Sequence, residues 1–320
     1  LDLLLATASP HVEEFLRGTS LELLHRYFLK NRQFVRAAET LYVAAFDRET
    51  PLTVSQRLQF VTSCLNDLNA ARSSLTTQAV PFAGLDAGQL AVQQATLRVQ
   101  AELAEELAAE PALRLPEEER ASLQTRLERE VLEPGELYGV AQRLGQERAA
   151  LLLLRCTNYA DAEAARQHWS RLLREIVDGE APAKRERLQA TVRELGETLG
   201  VANATFFPLT SIVEILVAFG LVSFPSVGEV AAWLEETLLA AGVSHDALAE
   251  TVEALVYARE EASWRLDVSA LLCECLQRYS RFIVFKNIDP AVKARFVASC
   301  GHYLEVLERL REEAEGEQAG

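Results

Sequence analysis

The sequence predicts an all-α protein, an irregular α-helical solenoid of stacked antiparallel helix pairs, and three observations carry that prediction. Leu, Ala, Glu and Arg dominate the 320 residues, while Gly contributes 15 and Pro 10, too few breakers for a loop-rich or strand-rich chain. Apolar residues recur with the period of an α-helix in one segment after another, and alternating β-branched runs are lacking. Ser, Thr, Asp or Pro precedes most of these segments, where the free N–H groups of a helix start need an acceptor or a residue with no N–H to satisfy.

Taken in order, Ser20 is placed to cap a helix through Leu21, Leu24 and Phe28. Beyond Asn31 a second helix carries Phe34, Ala37, Ala38, Leu41 and Ala45 on one face, and its two small residues invite a neighbouring helix close. Thr53 and Gln56 form a capping box ahead of Leu58, Val61 and Leu65. Residues 74–88 break the pattern and read as a loop; a long helix follows over 89–109, stopped by Pro111. Pro116 opens the next helix, and Glu117, Glu118 and Glu119 suit the positive end of its dipole. Helices are expected over 135–144, 146–157 and 161–178, the last capped by Asp161.

The polar stretch 179–187 reads as a second loop, leading into a helix over 184–199. Pro208 opens a helix through Ile212, Ile215 and Leu216. Ser226 with Glu229 caps 227–241, and Ser244 caps 245–261. A helix over 267–282 turns Leu271, Leu272, Cys275 and Leu276 to one side. Asp289 and Pro290 start a final long helix with the stripe Val292, Phe296, Cys300, Tyr303, Leu304, Leu307 and Leu310, and 311–320 is an acidic, frayed tail. No fixed repeat period emerges, which disfavours tetratricopeptide and ankyrin arrays. The expected organisation is a single α-solenoid fragment, 1–320, of a larger protein, since the chain opens on Leu1 rather than an initiator Met.

Charge narrows the function. Thirty-two Lys and Arg against 47 Asp and Glu give a net −15 and a pI near 4.9. Such a surface repels nucleic-acid backbones and anionic lipid, and favours basic residues in a partner. The five cysteines, Cys64, Cys156, Cys273, Cys275 and Cys300, are odd in number and widely spaced; they read as reduced and buried rather than as a disulfide framework. No signal peptide and no apolar run of membrane-spanning length is visible.

Catalytic and cofactor motifs are lacking. The histidines are scattered, with no HExxH spacing, and Cys300/His302 and Cys273/Cys275 stand two apart, which on a helix aims them at different faces. There is no GxSxG, Walker A, GxGxxG or Asp-rich cluster. The carboxylate pairs Glu105–Glu106, Glu117–Glu119 and Glu235–Glu236 read as solvated helix faces, and Lys184, Arg185 and Arg187, diluted by Glu186, as a solvated loop. No enzyme, metal or cofactor is therefore expected. The informative residues are apolar ones off the main stripes: Phe206, Phe207 and Leu209 around Pro208, and Tyr279, Phe282, Ile283, Phe285 and Ile288 before the last helix. They either pack turns between helices or line a groove for a partner segment; the latter makes them the candidate partner-binding set.

The segment TSLELLHRYFLKNRQFVRAAETL, residues 19–41, resembles a segment of the large inner-ring scaffold nucleoporins (the nucleoporin 155/170 type), through Leu23, Leu24, Arg26, Tyr27, Lys30, Asn31, Phe34, Ala37 and Ala38. SQRLQFVTSCL (55–65), LYGVAQRL (137–144), LLLLRCTNYADAEAARQHWSRLLREIV (151–177, with Cys156, Tyr159, Asp161 and Trp169), FFPLTSIVEIL (206–216) and RFVASCGHYLEVL (295–307) follow in the family's order and approximate spacing. His25 stands where the family usually has Trp, and 74–130 and 220–285 match weakly. The resemblance implies the C-terminal α-solenoid part of a protein whose N-terminal β-propeller lies elsewhere, acting as a structural scaffold of the nuclear pore inner ring. It implies other nucleoporins as partners, especially the disordered segment of a Nup98-type FG/linker nucleoporin. Neither nucleic acid nor direct membrane contact is expected. Two competing readings are a solenoid adaptor of a vesicle coat or cargo-transport assembly, separable by partner, and an all-α enzyme, which needs a pocket of convergent titratable groups.

Overall fold

A computed structural model describes residues 9–47, 50–74, 85–109 and 116–285 continuously, with isolated positions beyond them. Among the described residues every regular element is an α-helix, fourteen in all. They fall into two compact units, Leu1–Tyr159 and Ala160–Gly320.

The first unit holds α1 (Pro10–Thr19), α2 (Leu21–Lys30), α3 (Phe34–Phe46), α4 (Val54–Ser74), α5 (Ala87–Ala109), α6 (Glu117–Arg129), α7 (Pro134–Leu144) and α8 (Glu147–Cys156). Sequence patterning passes over α1 because Leu16 is the one buried residue in its ten. Neighbours in sequence pack on one another: α2 on α3, α3 on α4, α4 on α5, α5 on α6 and α7 on α8, with α5 also against α8. The expected small-residue face is present, Ala37 and Ala38 being wholly buried between the cores on either side of α3. Ser20 Oγ accepts from the Leu23 amide at 3.4 Å. The Thr53–Gln56 box closes in both directions: the Gln56 amide donates to Thr53 Oγ1 at 3.3 Å and the Thr53 amide to Gln56 Oε1 at 2.9 Å.

Two buried polar side chains tie this unit together. Arg57 donates to the carbonyls of Ala45, Asp47 and Thr50, placing a cation over the free carbonyls at the end of α3. Gln100, with no solvent exposure, donates to the carbonyls of Leu127 and Glu130 and accepts from the Leu132 amide at 3.2 Å. It thereby anchors the end of α6 on α5.

The second unit holds α9 (Ala162–Asp178), α10 (Lys184–Leu199), α11 (Leu209–Ser223), α12 (Val227–Ala240), α13 (His245–Val256) and α14 (Ala262–Phe285). Here α9 packs on α10 and α11, α11 on α12 and α13, α10 on α12, and α14 on both α12 and α13. Asp161 Oδ1, Ser226 Oγ and Ser244 Oγ accept from the amides of Ala164, Glu229 and Ala247, as anticipated. α13 is five residues shorter than expected, and α14 starts five residues earlier. Trp264 causes the shift: it is buried, its indole N–H caps the Leu255 carbonyl at 2.9 Å, and the Arg259 guanidinium lies 4.0 Å from its ring centre. A helix continuing to 261 would leave that ring no place under α13.

Lys184–Arg187 form the first turn of α10 rather than part of a loop, so the link from α9 is only residues 179–183, with Ala183 in the left-handed region at φ +60°. Two helix crossings are close. A Cβ on Gly196 would come within 2.7 Å of Ala241 Cβ, and one on Gly220 within 2.7 Å of Val230 Cγ1. The described cysteines are all free; Cys64 and Cys275 are buried, Cys156 is half-buried, and Cys273 is exposed, against the expectation that all lie inside. Alternation across the helix accounts for that, since Cys275 takes the core face and Cys273 cannot. The 74–88 loop from 75 to 84, Ile288, the stripe of the expected last helix and the tail lie outside the described residues.

Candidate partner groove

Trp169 determines what the Phe206–Pro208 segment does. Its ring, at the centre of the inner face of α9, is fully buried among Ala165, His168, Leu173 and Ile176. A buried indole N–H needs an acceptor, and the Phe206 carbonyl supplies it at 2.9 Å. The Phe207 ring meets the indole edge-on, centroids 5.3 Å apart. Phe206 and Phe207 are each 1% exposed, so they are interior residues that seat α11 against α9 and not the open lining of a groove. Leu209, half-buried, is the first residue of α11.

Tyr279 is also buried, on α14. Its hydroxyl donates to Asp246 Oδ1 at 2.7 Å and its ring stacks on His245, centroids 4.9 Å apart. His245 Nε2 in turn lies 3.0 Å from Glu235 Oε1, and Arg278 pairs with the other oxygen of that carboxylate. This network locks α14 to α12 and α13. Phe282, Ile283 and Phe285 continue α14, with side chains outside the described residues, as is Ile288.

The open surface lies instead along α9 and α11. From α9, Arg166, Ser170, Arg174 and Val177 follow one another at helical spacing; from α11, Ser211, Ile215, Ala218 and Val222 do the same. Together with Glu214, Phe219 and Ser223 of α11, Asp178 of α9, Lys184 and Arg259, they line a groove of about 840 Å³. α11 carries one charged residue in fifteen, Glu214, and is apolar on every side. Ile212, Val213, Leu216 and Val217 are buried, whereas Ile215, Ala218 and Phe219 are half-buried and Val222 is 88% exposed. A helix apolar all round is ordinarily buried all round; this one leaves a face open.

Charge frames the groove at both ends. At one, Arg259 pairs with Glu214 at 2.8 Å while stacked on Trp264. At the other, Lys184 Nζ donates to the Val177 carbonyl at 2.6 Å, and Arg185 donates to the Ser223 carbonyl with its guanidinium 3.8 Å from the Phe224 ring centre. Patterning could have singled out α11 by its near-absence of charge; nothing in it could pair α11 with α9. A second apolar hollow, about 430 Å³, lies in the first unit among Pro134, Tyr138, Leu153, Leu154, Thr157 and Tyr159. Among the described residues no group of three His, Cys, Asp or Glu is placed to hold a metal, and no helix is long and apolar enough to cross a membrane.

Comparison with known proteins places this architecture. The family described as non-repetitive/WGA-negative nucleoporin C-terminal matches residues 1–313. A probable nucleoporin of Schizosaccharomyces pombe is 24% identical over 285 residues, which is 82% of this chain and 20% of the relative, so the chain spans about a fifth of that relative's length. Among solved structures, the Chaetomium thermophilum Nup170 CTD in its complex with Nup145N superposes with a TM-score of 0.76 at 17% identity, over 98% of this chain and 67% of that one. The Nup170 CTD alone gives 0.75 at 16% identity, over 98% and 67%. The longer Nup170 SOL gives 0.73 at 17% identity, over 98% and 46%. At these identities the likeness is one of fold, and that fold is the predicted helical solenoid. None of these matches favours a vesicle-coat adaptor.

Proposed function

The chain belongs to the non-repetitive/WGA-negative nucleoporin C-terminal family, a family of scaffold nucleoporins of the nuclear pore complex, and from that premise we propose that it receives short linear segments of disordered linker or FG nucleoporins of the Nup98 type, within the inner ring. The observation that carries this reading is the open apolar face of α11, half-buried Ile215, Ala218 and Phe219 with exposed Val222, in a groove of about 840 Å³. The likeness to a domain solved together with Nup145N supports it. A disordered segment spends ordering entropy on binding, so single contacts of this kind are weak, and several along one linker hold an assembly by multivalency. No catalytic role is part of the proposal.

The candidate partner-binding residues enter in two ways. Phe206, Phe207 and Leu209 act from beneath, by fixing α11 beside α9. Tyr279 holds α14 against α13 from within, and Phe282, Ile283 and Phe285 in its last turn, with Ile288 following in sequence, make the end of α14 the second docking place proposed. Calorimetric titration with the disordered region of a Nup98-type nucleoporin separates the two. Saturable binding that Val222→Glu weakens at least tenfold places the segment on α11. Loss in Phe285→Glu with Val222→Glu unaffected moves it to α14. No saturable heat from the parent chain removes the linear-segment reading.

A further inference from the structure

The cations at the groove mouth are at odds with the rest of the chain. On a molecule of net charge −15, Lys184 and Arg185 stand in the first turn of α10, the positive end of a helix dipole, where cations are disfavoured. Both are half-buried, and the oxygens they meet belong to backbone carbonyls, Val177 for Lys184 and Ser223 for Arg185. Arg174, exposed one turn before the end of α9, has no partner among the described residues. These three positive charges therefore have no carboxylate partner among the described residues, although Asp and Glu outnumber Lys and Arg by 47 to 32. Directly beside them lies the apolar strip of Val177, Ala218, Phe219 and Val222.

We infer that this groove takes an acidic-apolar peptide segment, with apolar side chains on Phe219 and Val222 and flanking Asp or Glu carboxylates at Arg174, Lys184 and Arg185. The net charge of the chain predicts a basic partner; at this mouth Arg174, Lys184 and Arg185 outnumber Asp178, the carboxylate lining the same end, and select the opposite sign. Lys184 and Arg185, already held by carbonyls, lose little freedom on meeting a carboxylate, and their charge-assisted hydrogen bonds at a half-buried rim are stronger than solvated pairs. Surrounding negative charge sharpens the selection, because a polyanion without apolar anchors is repelled by the rest of the surface and has nothing to bury. The inference deepens the proposal above and rests on it for the idea that the occupant is a linear segment.

The test uses the full chain and fluorescein-labelled synthetic peptides read by anisotropy: one with Leu and Phe between runs of Glu, a second with Lys replacing every Glu, and oligoglutamate. The Glu-flanked peptide is expected to bind at least tenfold tighter than either of the others, and to lose at least tenfold on Arg174→Glu together with Lys184→Glu. Arg174→Gln, at an exposed position with no hydrogen bond or ion pair among the described residues, serves as a variant whose folding is not at issue, and several-fold weakening is expected from it alone. Equal or tighter binding of the Lys peptide, equal binding of oligoglutamate, or indifference to both variants overturns the inference. Titrating the same variants with the disordered region of a Nup98-type nucleoporin keeps the two ideas apart. Binding of that region unchanged by charge reversal leaves the linear-segment role and removes this groove chemistry. Binding of the Glu peptide without binding of that region does the reverse.

Discussion

Gln100 shows how much a single polar side chain can hold in a Leu-rich interior. Its amide satisfies two carbonyls and one N–H at the end of α6, all in the absence of solvent. Gln100→Leu fills the space but strands those three groups, at a cost of about 2–4 kcal/mol, to be seen as a lower urea midpoint with unchanged slope. The buried cysteines make a second prediction, one of pH. Burial pushes the Cys64 thiol up to about 12, with Asp67 adding to it, and burial with Glu235 does the same for Cys275. Above the ordinary thiol value of 9.0 the unfolded chain gives up these protons while the folded chain keeps them. Stability is therefore unaffected below that value and falls as pH rises toward 12, by about 1.4 kcal/mol per pH unit per thiol. Cys64→Ala is expected to lower stability at neutral pH yet flatten its decline between about pH 9 and 11, where the thiol reference value lies, measured by urea unfolding across that range.

At the scale of elements, α11 offers no side chain of its own where Val230 of α12 packs on Gly220, and α10 offers none where Ala241, the residue after α12, packs on Gly196. Gly196→Val forces its branches into the Ala241 backbone and is expected to cost about 1–3 kcal/mol, read as a drop in melting temperature. Ala183→Gly, which relieves a left-handed φ of +60° in the α9–α10 link, is expected to change stability little, or raise it by less than about 1 kcal/mol. Patterning located nearly all of these helices, because caps such as Asp161 and Ser244 and stripes such as Phe34 to Ala45 are local properties that the sequence states outright. It misplaced the α13–α14 boundary, where Trp264 acts across the turn, and passed over α1, whose burial rests on Leu16. The groove was half legible. The basic triplet at 184–187 and the Phe206–Leu209 segment drew notice, but which of those side chains turn inward depends on Trp169, thirty-seven residues from its acceptor at Phe206. No window along the chain contains that information.

For the molecule as a whole, fifteen uncompensated negative charges mean that the folded state works against its own repulsion. Raising ionic strength from low to physiological is expected to raise the melting temperature, while weakening any complex that depends on the three cations of the groove. Opposite salt dependences for stability and for binding, measured on one sample by thermal scan and anisotropy, are the signature expected of an acidic chain with a basic mouth. The glycine contacts of α12 bear on a different property. Val230 fits against Gly220 near the start of that helix, and Ala241 against Gly196 just past its end. A rod keyed at both ends can neither slide along its axis nor roll about it without lifting out of one notch. Under a sideways load the second unit should thus resist shear at α12 and yield first where helices meet through pliable side chains, so the two glycines act as mechanical keys.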